Sequence, residues 1–239
     1  MSEDVREALS RVRQRVSDAA VAAGRDPGEV ALLLAIKTVP AARVRQAIEA
    51  GATLLGQNRA QELVAVEPEL ADLPHSTHFI GHLQSNKVNQ VLRWASCVQS
   101  VHAPSLARRL DAARGRQAGE TEAGPLDVMV QVNTSDEPTK SGVAPDAAAD
   151  LAGEVAALPH LRLRGFMTIG ANDPDPGVVR ASYDRLAAVR EEVLASGTPG
   201  TEDARELSMG MSNDLEIAVA AGATMVRVGS AVFGARPPA

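Results

Sequence analysis

Cysteine is nearly absent from this 239-residue chain. The single Cys97 excludes an internal disulfide and a multi-cysteine zinc site, and it fits a reducing compartment. Aromatic residues amount to 2%, too few to build stacking platforms for single-stranded nucleic acid. Positive charge is not in excess either. With 24 basic against 30 acidic residues the net charge is −6, which argues against a nucleic-acid or anionic-membrane binder. No apolar run approaches the roughly 20 residues of a membrane span, and Met1-Ser2-Glu3-Asp4 opens an acidic amphipathic segment with no apolar signal core. A nucleophile elbow, a Walker loop and a dinucleotide fingerprint are all missing. His78 and His82 are four apart, but a strand end and Gly81 separate them, so no metal site is expected. These absences leave a soluble, cytoplasmic protein with no metal, nucleic-acid or membrane partner.

What the chain does have is a buried strand ending in lysine. Ala31 to Ile36 is apolar throughout, as in a strand covered on both faces, and Lys37-Thr38 follows at its C-terminal mouth. A lysine there has either a stem that snorkels to water or an amine that burial makes nucleophilic. Before it, Val5, Leu9, Val12, Val16 and Ala19 recur at helical spacing, predicting one amphipathic helix over Glu3 to Ala23. After it, strand and helix alternate. Strands are expected at Thr53–Leu55, His78–Ile80, Cys97–Val101, Leu126–Val132, Leu161–Met167, Glu206–Ser208 and Thr224–Val228. Gln117 to Gly124 reads as a polar loop, and the helix before the last strand spans Asn213 to Ala221. Eight strand–helix units behind one extra helix predict a single α/β domain over 1–239, a closed (β/α)8 TIM barrel with residues 1–24 as the N-terminal helix. An open doubly wound sheet is the alternative.

Such barrels carry their sites at the C-terminal strand ends. Those ends hold Lys37, Asn58, Gly81, His102, Asn133, Met167, Ser212, Gly229 and Ser230. Ser208-Met209-Gly210-Met211-Ser212 and Gly229-Ser230 each place glycine and a hydroxyl before a helix, the arrangement that attracts phosphate after strands seven and eight. Ordinary capping by Ser212, Asn213 or Ser230 is the plainer explanation of either loop alone. Arg227 alternates with Val226 and Val228 and so points into the barrel, where it needs a protein carboxylate or a ligand atom. Cys97 reads as an inert core thiol.

The motifs Ala35-Ile36-Lys37-Thr38, Gly56-Gln57-Asn58-Arg59, His78-Phe79-Ile80-Gly81-His82-Leu83-Gln84-Ser85-Asn86-Lys87, Lys140-Ser141-Gly142, Arg164-Gly165-Phe166-Met167, Leu207-Ser208-Met209-Gly210-Met211-Ser212 and Val226-Arg227-Val228-Gly229-Ser230 come in order along nearly the whole chain. Together they resemble the pyridoxal phosphate homeostasis proteins. The resemblance implies a barrel like the alanine racemase N-terminal domain, with pyridoxal 5'-phosphate (PLP) held as a Schiff base on Lys37. It also implies that Ser212, Gly229 and Ser230 bind the phosphate and that Arg227 faces the pyridine nitrogen. Asn58 and Met167 would line the pocket, with Met209 and Met211 beside the phosphate loop. The family usually has Gly-Glu-Asn where this chain has Gly56-Gln57-Asn58, which removes a carboxylate near the site.

An arginine opposite the pyridine nitrogen keeps it unprotonated and makes the ring a weaker electron sink. The first functional expectation is therefore a non-catalytic carrier that takes part in vitamin B6 homeostasis, buffering PLP or delivering it to apo PLP-dependent enzymes. The alternative is a weak PLP-dependent amino-acid racemase. The racemases this barrel resembles take a second base, a tyrosine, from another domain, whereas Tyr183, the one tyrosine here, lies within a predicted helix. Lys87 and Lys140 are expected to be solvated surface lysines. A monomer is expected.

Overall fold

In the computed structural model, which describes residues 4–120, 124–135, 137 and 140–234, eight parallel strands close on themselves. They are β1 (Ala31–Ala35), β2 (Leu54–Gln57), β3 (Ser76–Phe79), β4 (Ala95–Val101), β5 (Leu126–Gln131), β6 (Leu161–Met167), β7 (Glu206–Ser208) and β8 (Met225–Val228). Neighbours in sequence are neighbours in the sheet, and β1 pairs with β8 as Leu34 opposite Val228 to complete the ring. Outside it run α1 (Val5–Ala22), α2 (Ala41–Glu49), α3 (Ala60–Val66), α4 (Val88–Val91), α5 (Pro104–Glu120), α6 (Ala148–Ala156), α7 (Pro176–Ala195), α8 (Leu215–Ala220) and α9 (Ser230–Phe233). The expected barrel and its extra leading helix are both present. None of the described helices is long and apolar enough to cross a membrane.

Period-two alternation sorts the strand residues into two layers. Leu34, Leu55, Val98, Val128, Leu163, Leu207 and Val226 face outward and bury against the helices. Leu33, Cys97, Met129, Met167 and Met225 face inward and fill the lower barrel, where unbranched methionines adapt to the taper. Helix α1 lays Val5, Leu9, Val12 and Val16 onto this assembly, started by Asp4, whose carboxylate accepts the Arg6 N–H.

Several boundaries differ from those read in the sequence; β3 spans Ser76–Phe79 where His78–Ile80 was expected, and β4 begins at Ala95 where Cys97 was expected. Strand β2 includes Gly56 and Gln57, because the ladder with β3 continues to Gln57 opposite Phe79. Helix α5 runs on through Gln117 to Glu120 instead of opening into a loop at Gln117; Gln117 Nε2 donates to the Leu92 carbonyl and Arg114 Nε to that of Gly124. Residues 121–123 of the expected loop, and Glu3 at the expected start of the first helix, lie outside the described residues. Helix α8 begins at Leu215, because the residues before it are held in a loop described below.

Behind α3, Glu67 and His75 form a buried pair, 5% and 8% exposed, with His75 Nε2 3.0 Å from Glu67 Oε2. The other ring nitrogen sits 2.8 Å from the Leu73 carbonyl. Removing one partner leaves the other buried without it. His75→Leu is expected to cost about 3 kcal/mol in urea unfolding, and adding Glu67→Leu to recover most of that loss. A double variant no more stable than the single one contradicts this.

Candidate functional site

Lys37 follows β1 at the C-terminal mouth and is half-buried. The chain turns sharply there. Thr38 has φ +60°, the one non-glycine residue with positive φ among those described, and a costly one because its side chain is β-branched. The turn is pinned from α3: Thr38 N–H donates to Glu62 Oε2 at 2.8 Å, and Arg59 pairs with Oε1 of the same carboxylate at 3.0 Å. The lysine therefore sits beside stored backbone strain that a neighbouring helix holds in place.

Asn58 follows β2 at the same level, since Gly56 is opposite Ala35 across the β1–β2 ladder. Gly81 backs it closely; a Cβ there would come within 2.0 Å of the Asn58 carbonyl oxygen. Gln57 is fully buried, and its amide folds back on the loop that follows it. Its Oε1 accepts from Asn58 N–H at 2.8 Å and, more weakly, from Arg59 N–H at 3.4 Å. The departure from glutamate thus acts on the backbone that carries Asn58 and leaves Gln57 Nε2 buried without a partner among the described residues. Asn58 Oδ1 is likewise buried and unpaired among them.

The floor of the mouth is Arg227, 6% exposed. No carboxylate hydrogen-bonds to it among the described residues. Instead Nη1 donates to Ser208 Oγ at 2.9 Å and Nη2 to the Thr168 carbonyl at 2.6 Å. Burial lowers its pKa to about 10, so it remains a cation at neutral pH. Ser208 Oγ donates to Gln99 Oε1 at 2.7 Å, and Gln99 Nε2 lies 2.8 Å from His78 Nδ1. Burial lowers the His78 pKa to about 4, an effect slightly offset by Asp127. Met167 lies beside this row, level with Ser208. Below it, burial pushes the Cys97 thiol pKa well up, so it stays unreactive.

Two loops close the mouth after β7 and β8. Gly210, at φ +90°, passes so close to α8 that a Cβ would meet that of Ala218 at 2.4 Å. The loop is held by Asp214: one carboxylate oxygen accepts the Met211 N–H, and the other accepts the Tyr183 hydroxyl at 2.9 Å. Asp214 takes the N-cap position expected of Ser212 or Asn213, but its side chain is spent on the loop. Ser212 Oγ receives the Ala231 N–H at 3.4 Å, tying the two loops together, and Arg15 of α1 donates to the Ser212 carbonyl at 3.2 Å. The backbone N–H groups of Ser212, Asn213 and Ser230 have no partner among the described residues.

Lys37, Asn58, Ser212, Gly229 and Ser230 thus gather at one rim, with Arg227 and Met167 below it. Met209 does not join them; its side chain packs in the outer core with the helices, while Met211 is exposed. Lys140 is not solvated as expected. Its side chain is 18% exposed, and its amine donates to the Gly170 carbonyl at 2.8 Å and to Glu137 at 2.6 Å. Lys87 is half-buried on the wall of a cavity of about 270 Å3 shared with Asn58, Arg59 and His82. Thr168, Gln99, His78 and Glu62 were not singled out for the site from sequence, and Ser208 was named only within the loop after β7. Gln99 had one signal: it lies two residues past inward-facing Cys97.

The family model for the alanine racemase N-terminal domain matches residues 8–237. The pyridoxal phosphate homeostasis protein of Pseudomonas aeruginosa is 45% identical over 232 residues, 97% of this chain and 96% of that relative. PipY of Synechococcus elongatus, in a structure with PLP bound, superposes with a TM-score of 0.83 at 31% identity, covering 96% of this chain and all of that one. The alanine racemase of Corynebacterium glutamicum shares only the fold: the TM-score is 0.65 at 16% identity, over 98% of this chain and 62% of the racemase.

Two outcomes follow from this geometry. His78 titrates near 6.5 when unfolded and near 4 when folded, so between those values the unfolded chain binds more protons and stability falls as pH drops. The full window is worth about 3 kcal/mol. Urea midpoints between pH 7 and 4 are expected to fall less steeply in His78→Leu than in the unaltered protein. Thr38→Gly is expected to gain about 0.5–1 kcal/mol, because relief of the left-handed strain exceeds the added backbone entropy. A lower melting temperature for that variant would contradict the strain.

Proposed function

The chain belongs to the alanine racemase N-terminal-domain family and, within it, to the pyridoxal phosphate homeostasis proteins; on that premise we propose that it binds PLP reversibly, buffers it and delivers it to apo-enzymes. In this reading one barrel domain over 1–239 carries the whole site, and the protein works in the cytoplasm as a monomer. The single observation that carries it is Arg227. A guanidinium at a barrel axis, with no carboxylate hydrogen-bonded to it and three of its five N–H groups unpaired among the described residues, is set for a ligand acceptor.

The other residues fit the same group. Lys37 stands at the rim where an amine would hold an aldehyde carbon covalently. Ser212, Gly229 and Ser230 belong to two linked loops whose spare N–H groups suit a phosphate. Asn58 and Met167 would border the ring. The cofactor would supply an electrophilic aldehyde and an electron-withdrawing pyridine. Arg227, cationic at neutral pH, disfavours a proton on a ring nitrogen beside it and so weakens carbanion chemistry.

The weak-racemase alternative needs a second proton-transferring group across the site. Tyr183 is fully buried, donates its hydroxyl proton to Asp214 and has its pKa raised, chiefly by burial. It serves as a loop support, which favours the carrier.

Borohydride reduction of the PLP-loaded protein, followed by peptide mass mapping, is expected to label Lys37 and to lose essentially all of that label in Lys37→Ala. A label that persists on Lys87 or Lys140 in the variant, or none on Lys37 in the unaltered protein, overturns the assignment. Alanine racemization by the loaded protein is expected to match free PLP; clear turnover above it supports the racemase instead.

A further inference from the structure

Hydrogen-bond polarity across the barrel axis is fixed from both ends. Arg227 can only donate, so Ser208 Oγ accepts from it at 2.9 Å. Ser208 must then place its own proton elsewhere, and Gln99 Oε1 is 2.7 Å away. At the other end Met225 Sδ can only accept, and it lies 3.1 Å from Gln99 Nε2. The amide is thereby oriented with its oxygen toward Ser208 and its nitrogen toward Met225 and His78. His78 Nδ1, at 2.8 Å from that nitrogen, is left as an acceptor, which puts the ring proton on Nε2. Gln99 and Ser208 are both fully buried, so water offers neither a substitute partner.

We propose that Gln99 is a positioning residue for the cofactor site: its carbonyl oxygen takes the Ser208 hydroxyl proton and so presents Ser208 as the acceptor that holds Arg227 facing a heteroaromatic ring nitrogen. Beyond Arg227 itself, Ser208, Gln99 and Met225 carry no charge. Asp214 and Tyr183 reach Arg227 electrostatically from the loop side, and uncharged His78 ends the row. An apolar side chain of the same length would fill the space at position 99. It would also leave the Ser208 hydroxyl without an acceptor and Arg227 with one fixed partner, the Thr168 carbonyl.

Two measurements test this, and only the second rests on the cofactor reading above. In cofactor-free protein, nitrogen-15 NMR of His78 is expected to find Nδ1 bare and Nε2 protonated. A proton on Nδ1 reverses the chain and overturns the proposal. In PLP-loaded protein, Gln99→Met is expected to release the cofactor about tenfold faster. Gln99→Glu keeps an oxygen acceptor and is expected to release it within about twofold of the original rate. A packing role alone gives the opposite ranking, because methionine fills the site without burying a charge. Release from Gln99→Met at the original rate, or slower than from Gln99→Glu, overturns the proposal. Should the unaltered protein retain no PLP, the cofactor reading fails, and the His78 tautomer still decides the role of Gln99.

Discussion

A full positive charge on the axis of a closed barrel is expensive, and the arrangement around Arg227 answers that cost. Its contacts are a hydroxyl and a backbone carbonyl, which satisfy two of its N–H groups without neutralising it as a carboxylate would. Each neutral partner then needs a partner of its own, and the row extends from Ser208 through Gln99 to His78 Nδ1. The apolar cluster below, built on Leu33, Cys97, Met129 and Met225, keeps water from replacing any of these bonds.

Around that fixed centre, the two sides of the mouth are supported from outside the barrel. On the lysine side, Glu62 of α3 holds Thr38 in a conformation its side chain disfavours. On the loop side, Tyr183 of α7 and Arg15 of α1 hold Asp214 and Ser212. Loops are the softest parts of a barrel, and these are braced by side chains from helices packed on the core.

Much of this was legible in the sequence, because it depends on patterns that act locally. The alternation of strands and helices is set by hydrophobic period, and inward-pointing Arg227 follows from its place between Val226 and Val228. Lys37 was marked by the end of an apolar run. What escaped notice depends on pairings between distant segments. Nothing near Tyr183 says that its hydroxyl meets Asp214, 31 positions on, or that Gln99 meets Ser208, 109 positions on. Lys140 read as a solvated cation for the same reason: the carbonyl it reaches, that of Gly170, belongs to another loop. Helix α5 outran its expected end because composition there resembles a loop, while Gln117 is anchored to Leu92.

The ring closes between the first strand and the last, Leu34 opposite Val228. This has a consequence for biosynthesis. A ribosome delivers Lys37 well before the loops at 208–214 and 229–231, at roughly 5–20 residues per second. For most of that interval the nascent chain exposes a rim amine with no Arg227 beneath it and no loop opposite. Contacts of such sequence separation are also the slowest to form. The surroundings of Lys37 are therefore assembled only after β8 and the loop behind it have been made, and a fragment arrested before them leaves that lysine on an open sheet.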